Sequence, residues 1–430
     1  MVKSYSTKSL LTLLLTLTFL IALSKTSYAI PAFARKYQTS CMTCHATFPK
    51  LNTFGETFRR NGYQIPDVDE RYVKEKPVKL GAPAWKEVWP DGVWPGTLPG
   101  LPPISLLARS LYRYDDGSQV RHDFTFPDEI ELLTAGTIGE DISFLGTIAL
   151  VEKDGNFGGV ERLFVQFDNL FSGRLSSHLI NLKIGQFEPA FLPVSLHRRL
   201  THTRQLITTA RVGSNEFTLS EQRGAEINGI FKSRMEYAIG IVNGNGTGRG
   251  DGSGALDNNS QKDIYLKVGY KFGGIGLDGL GIEGGGWLPG DWKERSLSIG
   301  AFGYSGENRT SSTTTVNDSF YRYGLNMDLY YGNLNLFGAF VAGSHDNPDG
   351  NGVEREIATC LVEGNLLLYP WLTGVVRYES VDVDRDAVED AVTIGLVALI
   401  RANLKLTVEG DIHTRGEESD RAFLILEFAI

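Results

Sequence analysis

Over residues 104–430 apolar and polar residues alternate with a period of two, the spacing of a strand that shows one face to an apolar phase. In one run Tyr321, Tyr323, Leu325, Met327, Leu329 and Tyr331 alternate with Arg322, Gly324, Asn326, Asp328 and Tyr330. In another, Leu404, Leu406, Val408 and Ile412 alternate with Lys405, Thr407, Glu409, Asp411 and His413. A water-soluble sandwich also alternates, but rings at both edges of the apolar face belong to a lipid-facing band. No stretch beyond the N-terminus approaches the ~18 consecutive apolar residues of a membrane helix, so a position in a membrane requires a closed barrel.

Strand parity sets the count. Long loops belong outside the cell and tight turns in the periplasm. Strands are read from 104–114, through 176–188 and 214–230, to 403–414 and 419–430. Treating the glycine-rich 276–286 as a strand would place the tight turns at Gly332-Asn333, Tyr369-Pro370 and Ala402 outside, so 273–292 is read as a periplasmic excursion. The expectation is an all-β transmembrane barrel of about 16 antiparallel strands, wide enough to leave a lumen.

Residues 1–29 read as a secretory signal peptide, with Lys3 and Lys8 before an apolar 10–23 and Ser27-Tyr28-Ala29 at the cleavage site. A net charge of -9 makes nucleic acid a poor partner. Of three cysteines, two lie in Cys41-Met42-Thr43-Cys44-His45 and Cys360 has no obvious partner. A Cys-x-x-Cys-His run in an exported chain reads as the covalent attachment site of one haem c, with His45 as an axial ligand of the iron. A Cys41–Cys44 disulfide is the alternative.

Residues 30–75 read as a small α-helical monohaem cytochrome c domain, with short helices at 31–37 and 49–62 on either side of the motif. In the second, Leu51, Phe54 and Phe58 share a face, Pro49 suits a first turn and Gly62 a left-handed cap. Arg59 and Arg60 suit haem propionates or a solvated last turn. Residues 76–103 hold seven of the 16 prolines and three of the six tryptophans, a semi-rigid linker in which helix and ladder are both disfavoured.

Phe33-Ala34-Arg35, Cys41-x-x-Cys44-His45, Phe48-Pro49-x-Leu51-Asn52-x-Phe54-Gly55, Phe58 and Asn61-Gly62-Tyr63 together resemble the N-terminal cytochrome of the fused outer-membrane cytochrome-porins, the family of the bacterial iron-oxidising outer-membrane cytochromes. The resemblance implies a monohaem domain at the mouth of, or inside, an outer-membrane barrel, taking electrons from outside the cell. The run Lys183-Ile184-Gly185-Gln186-Phe187 is weakly similar to anion-selective porins.

A second axial ligand is not obvious. Met42 sits between the cysteines, and no other His lies between Pro31 and Pro103. The sixth position is filled from the barrel, by a water or a weak ligand such as Lys or Tyr, or is open; by parity Met235, Met327, His122 and His178 fall on apolar faces, leaving His413, which points inward, and His197 and His202 as barrel candidates. The last two lie in a long basic loop after Phe187, expected to fold into the lumen, with Arg198, Arg199 or Arg204 facing propionates. Acidic outer loops, with Asp115, Asp346, Asp349 and Asp384 among them, read individually as solvated loop charge and together suit divalent cations at the mouth.

These readings converge on an outer-membrane electron conduit. Extracellular Fe²⁺ is the expected donor and a periplasmic cytochrome c the expected acceptor, a Fe(II):cytochrome c type of electron transfer rather than group-transfer chemistry. The alternatives are a transport porin with a haem-containing plug or gate, and a conduit running outward to an extracellular acceptor.

Overall fold

The computed structural model describes residues 32–66, 69–79, 87–88, 90, 97–98, 100, 102–152, 155–171, 173–248, 254–279, 294–310, 316–384, 388–416 and 418–430. The signal segment 1–29, the tryptophans Trp85, Trp89 and Trp94 and most of the 273–292 excursion lie outside the described residues. No helix among the described residues is long and apolar enough to cross a membrane, which does not bear on crossing by strands.

Sixteen antiparallel strands close into one barrel. They are β1 Ile104–Asp115, β2 His122–Ile138, β3 Ile142–Val151, β4 Gly159–Phe167, β5 Asn181–Phe187, β6 Gln222–Phe231, β7 Met235–Val242 and β8 Asp263–Gly273. The second half is β9 Arg295–Arg309, β10 Asn317–Tyr331, β11 Leu334–His345, β12 Arg355–Tyr369, β13 Leu372–Val383, β14 Glu389–Arg401, β15 Leu404–Arg415 and β16 Arg421–Ala429. Every strand pairs with its neighbours in sequence, and β16 returns to β1 with Phe423 opposite Arg113 and Ala429 opposite Leu107. Closure leaves no strand edge to be satisfied in lipid.

The two faces sort as the alternation predicts. Tyr321, Tyr323 and Leu325 are 51%, 51% and 63% exposed, whereas Arg322 between them is 3% exposed. On β15 Val408 and Ile412 face outward, while Lys405, Thr407, Glu409 and Asp411 are buried inside. An apolar outer face around an interior that holds buried ion pairs beside an aromatic cluster suits a lipid surround. Met235 and Met327 lie on this outer face, as does Cys360, which shares it with Val362 and Leu366.

Some expected boundaries move. The strand expected at 214–230 begins only at Gln222, because 214–221 lies across the inner wall: Asn215 donates to Asp318 and Phe217 packs tilted against Tyr304 and Phe320. The strand expected at 176–188 begins at Asn181, so His178 sits in a periplasmic turn with a positive φ rather than on a lipid face. Within the proline-rich linker, Val78–Lys79 pairs with Thr97–Leu98, a short ladder where none was expected. The second N-terminal helix starts at Thr53, not at Pro49, because Lys50–Leu51 pairs with His45–Thr47.

Candidate functional site

Among the described residues, two segments lie in the lumen. The first carries the cysteines: α1 Ala32–Tyr37, a 3-10 turn at Cys41–Thr43 and α2 Thr53–Arg60. Around the barrel it touches Ser105 of β1 (2.9 Å from Ala32 N), Thr373 of β13 (2.9 Å from Thr47 Oγ1) and Glu236 of β7 (3.2 Å from Arg60 Nε). Lys405 of β15 lies over Phe48, and Lys50 over Phe337 of β11. A segment that touches strands on opposite sides of a closed barrel lies inside it, here as a plug in the periplasmic half.

The second is the loop 188–221, which folds inward from the outer end, as its length and charge suggested. Phe191 packs on Tyr265 and Phe302, both ring centroids 4.9 Å away. Glu409 of β15 accepts from His202 N (2.6 Å) and Thr203 N (2.8 Å), and the fully buried Arg377 donates to Thr201 Oγ1 (2.7 Å). The short α4 helix Leu206–Thr209 follows against β12 and β13, counting Asp69–Tyr72 of the plug as α3.

Local chemistry builds the cysteine turn. Ser40 accepts from Met42 N, and Asn52 caps α2 by accepting from Gly55 N (2.8 Å) while donating to Thr43 O (3.0 Å). A Cβ on Gly55 would lie 2.1 Å from the Cys44 carbonyl oxygen, so only glycine allows α2 to pass this close to the turn. Gly62, with φ +63°, ends the helix in the left-handed conformation. The plug core is aromatic: Phe33 stacks on Tyr63 (5.3 Å) and meets Phe58 edge-on (5.1 Å).

Cys41, Cys44 and His45 line one cavity of about 290 Å³ between plug, barrel wall and loop. Both cysteines are free thiols, not a disulfide. Phe33, Phe58 and Tyr63 of the plug and Leu145, Phe164 and Phe187 of the barrel side supply apolar walls, while Arg59, Arg162, Lys183 and Arg198 bring positive charge. His45 Nδ1 faces the Pro49 carbonyl at 3.1 Å, a contact that places the proton on Nδ1 and the lone pair on Nε2. Burial pushes the His45 ring down to about 4, so it is neutral at pH 7, and pushes the Cys44 thiol up to about 12. Two free thiols, a neutral imidazole held by its far nitrogen, apolar walls and cations match the donor set and surroundings of a covalently attached haem.

Arg59 and Arg60 are half-buried and ion-paired: Arg59 pairs with Glu56 (2.9 Å) and lines the cavity, while Arg60 pairs with Glu236. Burial alone would raise Glu56, but Arg59, Arg198 and Arg60 hold its carboxyl well below the usual range. Of the three histidines considered as second axial ligands, His197 lines the same cavity, with its Nε2 on Glu221 and its Nδ1 3.7 Å from Glu161. His202 and His413 are not among the described residues that line it. His202 stacks against Phe423, and burial keeps its ring well below the usual histidine range. His413 bonds Asp411 and Arg421 near the outer end of β15. Arg198 lines the cavity, whereas Arg199 is occupied by the Leu196 and His202 carbonyls. Glu131 and Glu161 of the barrel strands and Glu221 at the end of the loop, beside His197, were not singled out from the sequence; single carboxylates in barrel strands and loops are too common to stand out there.

No family model matches the chain, and no curated protein is detectably similar. Among solved structures, the anion-selective porin from Comamonas acidovorans superposes with a TM-score of 0.54 at 11% identity, covering 76% of this chain and 98% of its own. The outer membrane channel DcaP of Acinetobacter baumannii gives 0.52 at 12% identity, over 76% and 96%. Salmonella typhi OmpF, in a complex with daunomycin, gives 0.53 at 8% identity, over 76% and 97%. The chain is a porin-like outer-membrane β-barrel. At these identities the likeness carries the fold alone. Within this porin-like barrel, the lumen-filling plug and loop set the question of function.

Proposed function

We propose that this porin-like barrel is an outer-membrane electron conduit, in which one haem c, attached through Cys41 and Cys44 and ligated by His45, accepts electrons from an extracellular donor, Fe²⁺ first, and passes them to a periplasmic cytochrome c. The reading rests on one observation: the two thiols and His45 line an apolar-walled cavity inside the lumen of a membrane barrel. Bound there, the haem would supply a one-electron couple. The chain's own residues would do the rest. The Pro49 carbonyl orients His45, Arg59 and Arg198 offer charge for propionates, and the plug aromatics exclude water.

Position supports the same reading. A bilayer core is roughly 30 Å thick, so a redox centre hanging below it would be out of reach of an outside donor. A centre held in the lumen needs a shorter hop on each side. The contacts that fill the lumen oppose solute flow, which a conduit tolerates and an open transport porin does not.

Anaerobic mixing of oxidised full-length protein with Fe²⁺, with Cys44→Ala as control, tests it. Reduced haem bands should appear in the parent only. No reduction at near-neutral pH removes iron as the donor, and substantial single-channel conductance without reduction supports the gated porin instead.

A further inference from the structure

Glu131 of β2, Glu161 of β4 and His197 of the inward loop each offer a ligand atom, all within 4.8 Å of one another. Glu131 is 8% exposed, and neither its Oε1 nor Glu161 Oε2 receives a hydrogen bond. The charge of Arg162 reaches Glu131, but the two unbonded carboxylate oxygens still repel each other unless a proton or a further cation lies between them. His197 sits beside them with Nδ1 3.7 Å from Glu161 Oε2, while Nε2 is bonded to Glu221. With its proton on Nε2, the ring turns its Nδ1 lone pair toward the two carboxylates, the arrangement in which a second carboxylate orients a metal-binding histidine.

The barrel wall is shaped for this. The β3–β4 ladder steps from Thr147 opposite Arg162 to Ile148 opposite Val160, so Glu161 is an extra residue in a bulge. A second irregularity falls at Ile130/Glu131 on the β2–β3 ladder. Bulges re-aim side chains where a regular ladder would alternate them. The first re-aims Glu161 itself and the second leaves Leu150 of β3 unpaired beside Glu131, while the adjacent Arg162 donates from its Nε to Thr147 (3.2 Å).

We propose that Glu131, Glu161 and His197 form a binding site for a divalent first-row transition cation in the outer wall of the cysteine-lined cavity. Two carboxylate oxygens and one imidazole nitrogen suit Fe²⁺ or Mn²⁺ and leave coordination positions open. Glu161 lies two residues from Gly159, the outer end of β4, whereas the plug meets Thr373 at the periplasmic end of β13. A cation held here therefore stands between the outer mouth and the cavity, which His197 also lines. Its role as donor station rests on the electron-conduit reading: Fe²⁺ would become Fe³⁺ by giving one electron to a ferric c-type haem, with no bond made or broken. Cation binding itself does not rest on that reading. On this assignment His197 serves the cation and not the haem iron.

The test uses full-length protein in detergent and Mn²⁺ as the probe, followed by loss of the free Mn²⁺ EPR signal. The parent should bind roughly one Mn²⁺ per chain with an affinity that Glu131→Gln and Glu161→Gln each weaken about tenfold or more, while His197→Ala leaves the haem absorption spectrum unchanged. Gel mobility with and without heating confirms that each variant still forms the barrel. Unchanged Mn²⁺ affinity in both Gln variants overturns the site, and so does an absence of binding at pH 7, which would mean that the two carboxyls share a proton. If Mn²⁺ binds as expected while Fe²⁺ reduces no haem in the parent, the cation site stands and Fe²⁺ falls as the donor of the electron-conduit reading.

Discussion

Arg198 of the inward loop lies 3.8 Å from Glu56 of α2, the ion pair at which the outer and inner fillings of the lumen meet. Glu56 also holds Arg59 at 2.9 Å and Arg60 at 3.8 Å, so one carboxylate serves three guanidiniums. Glu56→Gln leaves all three without it. Removing the shared partner of this half-buried cluster costs less than the ~3–5 kcal/mol of a fully buried one, and the cost falls on the docking of plug against loop. Single-channel conductance in a planar bilayer should rise above that of the parent.

The same cluster gives a pH dependence. Because Glu56 titrates well below its ordinary value of 4.5 in the folded chain, its contribution is fully present above about pH 4.5 and is lost as pH falls below that value. Conductance of the parent should therefore stay low at pH 7 and climb on acidification below about 4.5, whereas Glu56→Gln should be conductive throughout and lack that step.

Gly55→Ala drives a methyl group toward the Cys44 carbonyl, a backbone atom that cannot move cheaply. An overpacked site of this kind costs about 1–3 kcal/mol. The expected result is a several-fold lower haem content per chain, measured by absorbance against protein concentration, in a barrel that still shows its heat-dependent gel mobility.

Glu409→Gln replaces a carboxylate that accepts from both His202 N and Thr203 N with an amide that can accept through one oxygen only. The loss, about 1–3 kcal/mol, should unlatch the loop at this point. Trypsin should then cut after the exposed Arg204 faster than in the parent, while cleavage elsewhere is unchanged.

The barrel was legible because its physics is local: each strand must put one face toward lipid, and period two reports that face residue by residue, as Tyr321 to Tyr331 illustrates. Boundaries slipped where a distant partner decides, as when Asp318 captures Asn215 and keeps 214–221 out of β6. Cys41, Cys44 and His45 stood out because they are contiguous. Glu131, Glu161 and His197 did not, because a ladder bulge at Glu161 and the inward fold of a loop bring them together, and neither leaves a periodic trace in the chain. The inward loop was foreseen from length and charge, but the choice among His197, His202 and His413 needed the fold: only His197 of the three lines the cavity with His45 among the described residues.

The central claim is that electrons, and not solutes, cross this barrel. It is tested most directly in sealed proteoliposomes with oxidised cytochrome c trapped inside and Fe²⁺ added outside under anaerobic conditions. The account predicts reduction of the trapped cytochrome with little ion leak, abolished by Cys44→Ala. Ion flux typical of an open porin, with the trapped cytochrome left oxidised, would contradict it.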